Sequence, residues 1–249
     1  GCSEGGLAVH AATCLRTGQV RRLRYGAGSP YFDIRLPCGG ALEIALFPRP
    51  DPAVLADAIA RRAGRDRVAL RFHPDGRISL HDSQPTGWQG ADYVVDMLPD
   101  VAFAIFGEGP EAAVFTRLVH SAGFRHRLVT PSQQTLDMVA ASGCRAQLWD
   151  STTPLALADV DARTAVVTFF HDHGRELPIL RAALAGPAFY VGAQGSRQVA
   201  ARRRDALAAL GVAAADLTRL HGPIGLIPSA RDARTLAISV LAEITALAE

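Results

Sequence analysis

From residue 99 onward, short apolar runs alternate with amphipathic segments, and this alternation restricts the fold more than any other feature of the sequence. Strands that alternate with helices form a parallel sheet covered on both faces. Residues 99–249 are therefore predicted to form an α/β, Rossmann-like domain. The predicted strands are residues 101–106, 125–129, 146–149, 165–170 and 189–191, and the predicted helices are a segment that ends near 119, then 135–141, 197–210 and 233–247.

Residues 1–98 mix helices with short strands and predict a smaller α+β domain. Asp51 and Pro52 have the residue types of a helix N-cap and of the first helical position. The other predicted features are a helix at residues 7–16, strands at 20–25 and 42–47, a hairpin of residues 68–72 and 78–80, and a linker at 83–91, which is rich in Gly, Pro, Ser and Gln.

The composition excludes several classes of function. All 26 basic residues are arginine, so neither a P-loop lysine nor a Schiff-base lysine exists in this chain. The net charge is +2 and the aromatic content is 6%, without a basic stripe, which argues against a nucleic-acid partner. The apolar runs are too short to span a membrane, and the first residues lack the pattern of a signal peptide, so we expect a cytoplasmic protein.

Polar residues stand where three of the apolar strands are expected to end. These strand ends meet at the carboxyl edge of a parallel sheet, which is the usual ligand edge. Ser196 opens a predicted helix, and a helix N-terminus offers free backbone N–H groups to an anion, with Arg197 at its mouth. We predict a pocket for an anionic ligand formed by residues from these ends: His171, Asp172, His173, Gly195, Ser196, Arg197 and His221.

Several of these residues have more than one interpretation. The His-Asp-His element at residues 171–173 could bind a ligand by hydrogen bonds, ligate a metal or cap a loop. His221 precedes a Gly-Pro turn that could aim its ring into the pocket, or it caps a helix. The arginine run at residues 202–204 predicts a solvated helix face.

A glycine-rich turn follows the first strand of the predicted Rossmann domain. Gly107, Gly109 and Ala112 match the dinucleotide fingerprint in the correct strand-to-helix context. A NAD-binding protein would carry an acid at the end of the next strand, where this chain has Thr130. NAD(P) is therefore the second choice of cofactor, and a tight turn without a ligand is the alternative interpretation.

The four cysteines fit no metal or redox spacing, so we expect free thiols. Cys14 and Cys144 are predicted to be buried packing residues. Cys38 differs, because it precedes Gly39 and Gly40 in a loop that would expose its thiol beside backbone that can approach a ligand closely.

Several of these segments, in this order, resemble the XdhC/CoxI family of xanthine dehydrogenase accessory proteins. The resemblance covers nearly the whole chain, and residues 1–98 resemble the N-terminal domain of the family without its usual upstream strand. The matching segments are residues 1–5 (Gly-Cys-Ser-Glu-Gly), 38–40 (Cys-Gly-Gly), 171–173, 187–197, 221–226 (His-Gly-Pro-Ile-Gly-Leu) and the final helix. Departures occur at Glu108, Pro110, Glu111, Phe170 and residues 227–229.

The resemblance implies a molybdenum cofactor chaperone. Such a protein holds the molybdopterin cofactor, protects it while a cysteine desulfurase supplies the terminal sulfur, and delivers it to an apo molybdenum hydroxylase of the xanthine dehydrogenase type. We expect Cys38 to contact or shield the molybdenum centre and Ser196 and Arg197 to bind the cofactor phosphate. The sequence does not determine whether this protein forms a homodimer.

Two enzymatic alternatives remain beside the chaperone. One is a NAD(P)-dependent oxidoreductase on the same Rossmann domain, and the other is a metal-dependent hydrolase centred on residues 171–173. No nucleophile, base and orienting partner form one constellation in the sequence, so we assign no catalytic residue and no metal ligand.

Overall fold

The computed structural model of the chain describes residues 2–30, 39–150, 157 and 159–249, with side chains from residue 5 onward except at residue 173. The chain divides into two compact units, Gly1–Pro99 and Asp100–Glu249. The first is a mixed α+β unit and the second contains a six-stranded parallel sheet, in agreement with the predicted fold class.

In the described residues of the first unit, the chain forms two antiparallel sheets and two helices. A two-stranded sheet pairs β1 with β2, and a four-stranded sheet has the order β4-β3-β6-β5. Asp51 is the N-cap of α2 as predicted, and its carboxylate accepts a hydrogen bond of 2.8 Å from the Ala53 amide. The elements are α1 (Cys2–Thr17), β1 (Arg21–Gly26), β2 (Ala41–Leu46), α2 (Pro52–Ala63), β3 (Val68–Phe72), β4 (Ile78–His81), β5 (Gly87–Gln89) and β6 (Asp92–Met97).

The predicted linker at residues 83–91 is wrong, because part of it is strand β5. Strand β5 pairs with β6 through a tight turn in which Gly90 has φ +65°, and Trp88 stands opposite Tyr93. Their rings pack edge to face with centroids 5.1 Å apart. The Gly, Pro and Gln content is typical of linkers, but here it builds a hairpin whose aromatic pair stabilises the two strands.

The second unit is a parallel sheet with helices on both faces. The strand order is β12-β11-β10-β7-β8-β9, and every neighbouring pair is parallel. The elements are β7 (Ala102–Gly107), α3 (Gly109–Ser121), β8 (Arg125–Thr130), α4 (Gln133–Ala140), β9 (Ala146–Leu148), β10 (Thr164–Phe169), α5 (His173–Ala185), β11 (Tyr190–Ala193), α6 (Arg197–Ala209), α7 (Ala214–Leu217), β12 (Leu220–His221) and α8 (Ala233–Ala248).

The two faces of this sheet bury separate hydrophobic cores. Phe103 and Ile105 point to one face with α3, α4 and α8, whereas Ala104 and Phe106 point to the other face with α5 and α6. This is the side-chain alternation of a strand buried on both sides, and it explains why the sequence of β7 is an unbroken apolar run.

The sequence pattern did not predict α5 or α7, and it indicated β12 only as a strand end at His221, without bounds. Helix α5 contains Pro178, a residue that usually disfavours a helix interior, and β12 is only two residues long. No helix in the described part of the chain is long and apolar enough to cross a lipid bilayer.

Candidate functional site

The carboxyl edge of the six-stranded sheet carries the predicted site residues of the second unit. Because all six strands are parallel, the segments after β7, β10, β11 and β12 emerge along this single edge. Strand order reverses between β7 and β10, since β8 and β9 lie beyond β7 while β11 and β12 lie beyond β10. Such a reversal point is the usual binding crevice of doubly wound sheets. We call this edge, from β12 to β7, the ligand edge.

The start of α6 forms an open cationic position on the ligand edge. Ser196 is the N-cap, and its hydroxyl accepts a hydrogen bond of 3.2 Å from the Val199 amide. The amides of Arg197 and Gln198 precede the first helical hydrogen bonds, so their N–H groups can face a ligand. The Arg197 side chain is exposed and has no hydrogen bond or ion pair with any residue that the structure describes. This geometry suits an anion.

A cleft of about 250 Å³ lies between α5 and α6, next to this position. Arg202 is exposed along it, and the buried pair formed by Glu176 and Arg203 lies at its base. The remaining lining residues are Gly174, Leu177, Val199 and Ala206. The cleft therefore combines an apolar wall with arginine side chains.

Arg203 is 3% exposed, so the prediction of a solvated arginine face is wrong for this residue. Its Nε donates to Glu176 Oε1 at 2.7 Å, and its terminal nitrogens donate to the backbone oxygens of Ala193 at 3.5 Å and Gln194 at 2.6 Å. Glu176 also accepts a hydrogen bond of 3.2 Å from the Thr168 hydroxyl. The ion pair thus holds the loop between β11 and Ser196 in place.

Gly195 allows this loop to pass close to α6. It has φ +148°, and a Cβ at this position would lie 2.9 Å from Val199 Cγ1. Only glycine satisfies both the left-handed backbone and the close approach without strain. Gly195 therefore shapes the loop that presents Ser196 and Arg197.

Asp172 and His173 form the start of α5. Asp172 is the N-cap, and its carboxylate accepts a hydrogen bond of 3.0 Å from the Gly174 amide and lies 3.5 Å from Arg175 Nε. His173 is the first residue of the helix. Of the three interpretations offered for residues 171–173, capping accounts for Asp172 in this structure.

His171 lies beside an acid from the neighbouring element. Its side chain is 70% exposed, and its Nε2 is 3.8 Å from Oε2 of Glu111, in the first turn of α3. That carboxylate oxygen is buried and has no hydrogen-bond partner among the described residues. The pair therefore offers an open imidazole and an unused acceptor at the point where strand order reverses.

The Gly107–Gly109 turn is poorly suited to bind a phosphate. The Gly109 amide donates to Thr135 Oγ1 at 2.8 Å, Pro110 has no N–H group, and Glu111 adds negative charge in the first turn. A pyrophosphate would bind to free amides at this turn and would be repelled by a negative charge in the first turn of the helix. Thr130, where an acid would hold a ribose, is buried and accepts a hydrogen bond of 3.2 Å from the Ser132 amide.

His221 is held in place by two neighbours on the α8 face of the sheet. Its ring stacks on Tyr190 with centroids 4.3 Å apart, and its Nδ1 lies 3.5 Å from Glu243 Oε1. Gly192 makes room for the Tyr190 ring, since a Cβ there would be 2.4 Å from a ring carbon. The Gly222–Pro223 peptide that follows His221 is cis. The sequence did not identify Tyr190 or Glu243.

The half-buried Glu243 carboxylate is contacted by three hydrogen-bond donors. The Gly225 amide makes a short hydrogen bond to it, the Tyr190 hydroxyl donates at 3.3 Å, and His221 lies on the same carboxylate. Burial acts to raise the pKa of Glu243, but the His221 and Gly225 hydrogen bonds outweigh it and leave the pKa below its ordinary value. Burial and the adjacent Glu243 raise the pKa of Tyr190.

We expect Glu243→Gln to lower the free energy of unfolding by about 1–3 kcal/mol at neutral pH, because hydrogen bonds to a charged acceptor are replaced by weaker ones. A carboxyl group whose folded pKa is depressed stabilises the protein above its unfolded pKa and loses that contribution as the pH falls through the folded pKa. The difference between wild type and variant should therefore shrink below about pH 4.3. Urea unfolding at several pH values measures it, and a difference that is independent of pH would contradict the assignment.

Two predicted residues belong to the first unit. Gly39 is exposed with φ +69°, and nothing lies within 4 Å of the position of a Cβ. Cys38 lies outside the described residues, so the role expected for its thiol stays a prediction.

Comparisons with known proteins agree with this architecture. The family model described as the XdhC Rossmann domain matches residues 103–244. The chain is 35% identical over 249 residues to the molybdenum cofactor insertion chaperone PaoD of Escherichia coli (strain K12), covering 99% of this chain and 72% of that protein. A solved structure described as a xanthine dehydrogenase (BH1974) from Bacillus halodurans superimposes with a TM-score of 0.70 at 16% identity, covering 99% of this chain and 80% of that one. This last similarity concerns the fold alone.

Proposed function

The chain belongs to the XdhC family, and from that membership we propose that it is a molybdenum cofactor chaperone that binds the cofactor at the ligand edge and inserts it into a molybdenum enzyme. The observation that carries this proposal is the similarity to PaoD, which extends over 99% of the chain and thus includes both units. The cofactor is cargo in this function rather than a permanent component of the protein.

The chemistry of the ligand edge supports this cargo. Molybdopterin carries a phosphate, and the α6 N-terminus with Arg197 supplies backbone N–H groups and an exposed guanidinium for it. Arg202 adds a second exposed cation along the adjacent cleft. His171 follows β10 and His221 ends β12, so both offer imidazoles along the ligand edge to polar atoms of the cofactor, with β11 between the two strands. The direct contacts of Gly107, Gly109, Asp172 and His173 with the cofactor remain predictions.

The finer steps of the function are also part of the proposal. We propose that the bound cofactor is shielded while a cysteine desulfurase supplies its terminal sulfur, and that the acceptor is an apo hydroxylase of the xanthine dehydrogenase type. Cys38 is proposed to contact or shield the molybdenum, because a thiolate is a suitable soft ligand for such a centre. A Cys38→Ala protein should therefore hold the cofactor for a shorter time.

Arg197→Ala tests the anion site directly. We expect the dissociation constant for molybdenum cofactor to rise about tenfold to a hundredfold, because a charge-assisted hydrogen bond contributes about 1.5–3 kcal/mol. Anaerobic titration monitored by pterin fluorescence measures this constant, and transfer to an apo molybdenum hydroxylase measures delivery. Arg181→Ala is the matched control, since Arg181 is an exposed arginine toward the carboxyl end of α5.

Two results would overturn the proposal. Equal losses in Arg197→Ala and Arg181→Ala would place the cofactor phosphate elsewhere. Saturable binding of NADH or NADPH without any binding of the molybdenum cofactor would favour the oxidoreductase alternative, although the occupied amide of Gly109 opposes a pyrophosphate there.

A further inference from the structure

Three residues of metal-binding types, two histidines and a cysteine, meet at the sheet edge opposite the ligand edge. His120 lies in the last turn of α3, His126 is the second residue of β8, and Cys144 lies between α4 and β9. One ligand atom of each lies within 4.8 Å of those of the other two. Their separations in sequence, 6 and 18 residues, match no metal-binding motif, so only the fold brings them together.

The surroundings of His126 fix its tautomer. Nδ1 lies 3.0 Å from the backbone oxygen of Phe124, and Nε2 lies 3.2 Å from the Arg145 amide nitrogen. An amide can only donate and a carbonyl oxygen can only accept, so Nδ1 carries the proton and Nε2 presents its lone pair toward residues 144–145. A backbone carbonyl on the opposite ring nitrogen is the usual support of a metal-bound histidine.

His120 has unused hydrogen-bonding capacity. Its ring makes no hydrogen bond within the described part of the chain and packs edge to face against the His126 ring, with centroids 5.1 Å apart. Its Nε2 faces the turn before Cys144, since it lies 3.7 Å from the position that a Cβ on Gly143 would take. Gly143 has φ +71°, so this turn has the left-handed backbone that glycine favours.

Cys144 is a half-buried thiol without a disulfide. Burial raises its pKa, and the nearby Arg117 opposes that shift only in part. The free protein therefore favours the protonated thiol, and a metal ion would have to displace this proton in order to bind.

We propose that His120, His126 and Cys144 form a site for a zinc-class divalent cation, with three protein ligands and one open coordination position. Two imidazoles and a thiolate are donors that Zn²⁺ prefers. Bond lengths of about 2.0–2.3 Å place tetrahedral ligand atoms about 3.5 Å apart, so the residue 142–144 turn must close inward by about 1 Å. The Arg145 amide then gives up its long hydrogen bond to Nε2.

Cobalt(II) provides the test, because its thiolate charge-transfer and tetrahedral d–d absorptions report both ligand type and geometry. The experiment uses the full chain in a Cys2→Ser/Cys38→Ser background, depleted of metal by a chelator and then titrated with CoCl₂. We expect one equivalent to bind with both absorptions. Cys144→Ser should abolish the charge-transfer band, and His120→Gln should lower the affinity at least about tenfold.

Cys14→Ala is the matched control, since Cys14 is the other free thiol that the structure describes, and it should leave both absorptions unchanged. Circular dichroism establishes whether each variant is folded. If Cys144→Ser does not fold, the affinity of His120→Gln for cobalt(II) tests the site instead. A folded parent protein without a charge-transfer band, or a band that survives in Cys144→Ser, would overturn the proposal. The outcome is independent of molybdenum cofactor binding, which is tested separately at the ligand edge.

Discussion

Arg203→Met is expected to lower the free energy of unfolding by about 3–5 kcal/mol, the usual cost of breaking a buried ion pair. The exposed fractions of the Arg203 and Glu176 side chains are 1% and 0%. Removal of the guanidinium leaves the Glu176 carboxylate buried without its main counter-charge. It also removes the hydrogen bonds that Arg203 donates to the backbone oxygens of Ala193 and Gln194. Denaturant unfolding followed by circular dichroism measures the loss.

The neighbouring arginine provides the control for this prediction. Arg202 is exposed one position earlier in α6, so Arg202→Met should change stability by no more than about 0.5 kcal/mol. The double variant Arg203→Met/Glu176→Leu should recover part of the loss, because it buries no unpaired charge. If Arg203→Met and Arg202→Met were equally stable, the buried network would not hold the unit together.

A consequence for function follows from the position of this network. Because Arg203 holds the backbone of Gln194, its loss should release the loop that presents Ser196 and Arg197. We expect a conservative Arg203→Lys variant to retain part of the stability but to bind the cofactor more weakly than wild type, since lysine has no planar fork for several acceptors.

Gly107→Ala is expected to lower the free energy of unfolding by about 2–6 kcal/mol, the sum of backbone strain and overpacking. Gly107 has φ +150°, and a Cβ there would lie 2.3 Å from the backbone oxygen of Phe169 in the adjacent strand. Backbone cannot rotate away as a side chain can, so β7 and β10 must separate at the ligand edge. The hydrogen bond of 3.0 Å that the Glu108 amide donates to the same oxygen would be disturbed as well.

Gly123→Ala separates the two contributions. Gly123 also has a positive φ, +81°, but nothing lies within 4 Å of its Cβ position. This variant should lower the free energy of unfolding by roughly 1–2 kcal/mol, which is the conformational cost of a positive φ alone. A thermal melt of both proteins compares them, and equal destabilisation would show that the contact with Phe169 is unimportant.

Much of the fold was predictable because periodicity and capping act locally. The apolar run of β7, the N-cap at Asp51 and the N-cap at Ser196 are present as predicted. Helix α5 was missed because Pro178 interrupts its pattern, and β5 was missed because its composition is that of a loop. In both cases neighbouring elements stabilise a structure that local propensity does not favour.

The candidate site shows the same division. Placement of Ser196, Arg197, His171 and His221 at strand ends follows from the strand pattern, because parallel strands share one carboxyl edge. Their partners do not follow, since Glu176 meets Arg203 across 27 residues and Glu243 meets Tyr190 across 53 residues.

By itself, the sequence determined the fold class, the edge where the ligand residues emerge and the family to which the chain belongs. The tertiary structure decided which arginine is buried, which glycine amide is already occupied and which histidines meet a cysteine. The physical reason is range: hydrogen-bond capping and hydrophobic periodicity are properties of adjacent residues, whereas ion pairs, amide satisfaction and metal-ligand clusters depend on residues that only packing brings within a few ångströms.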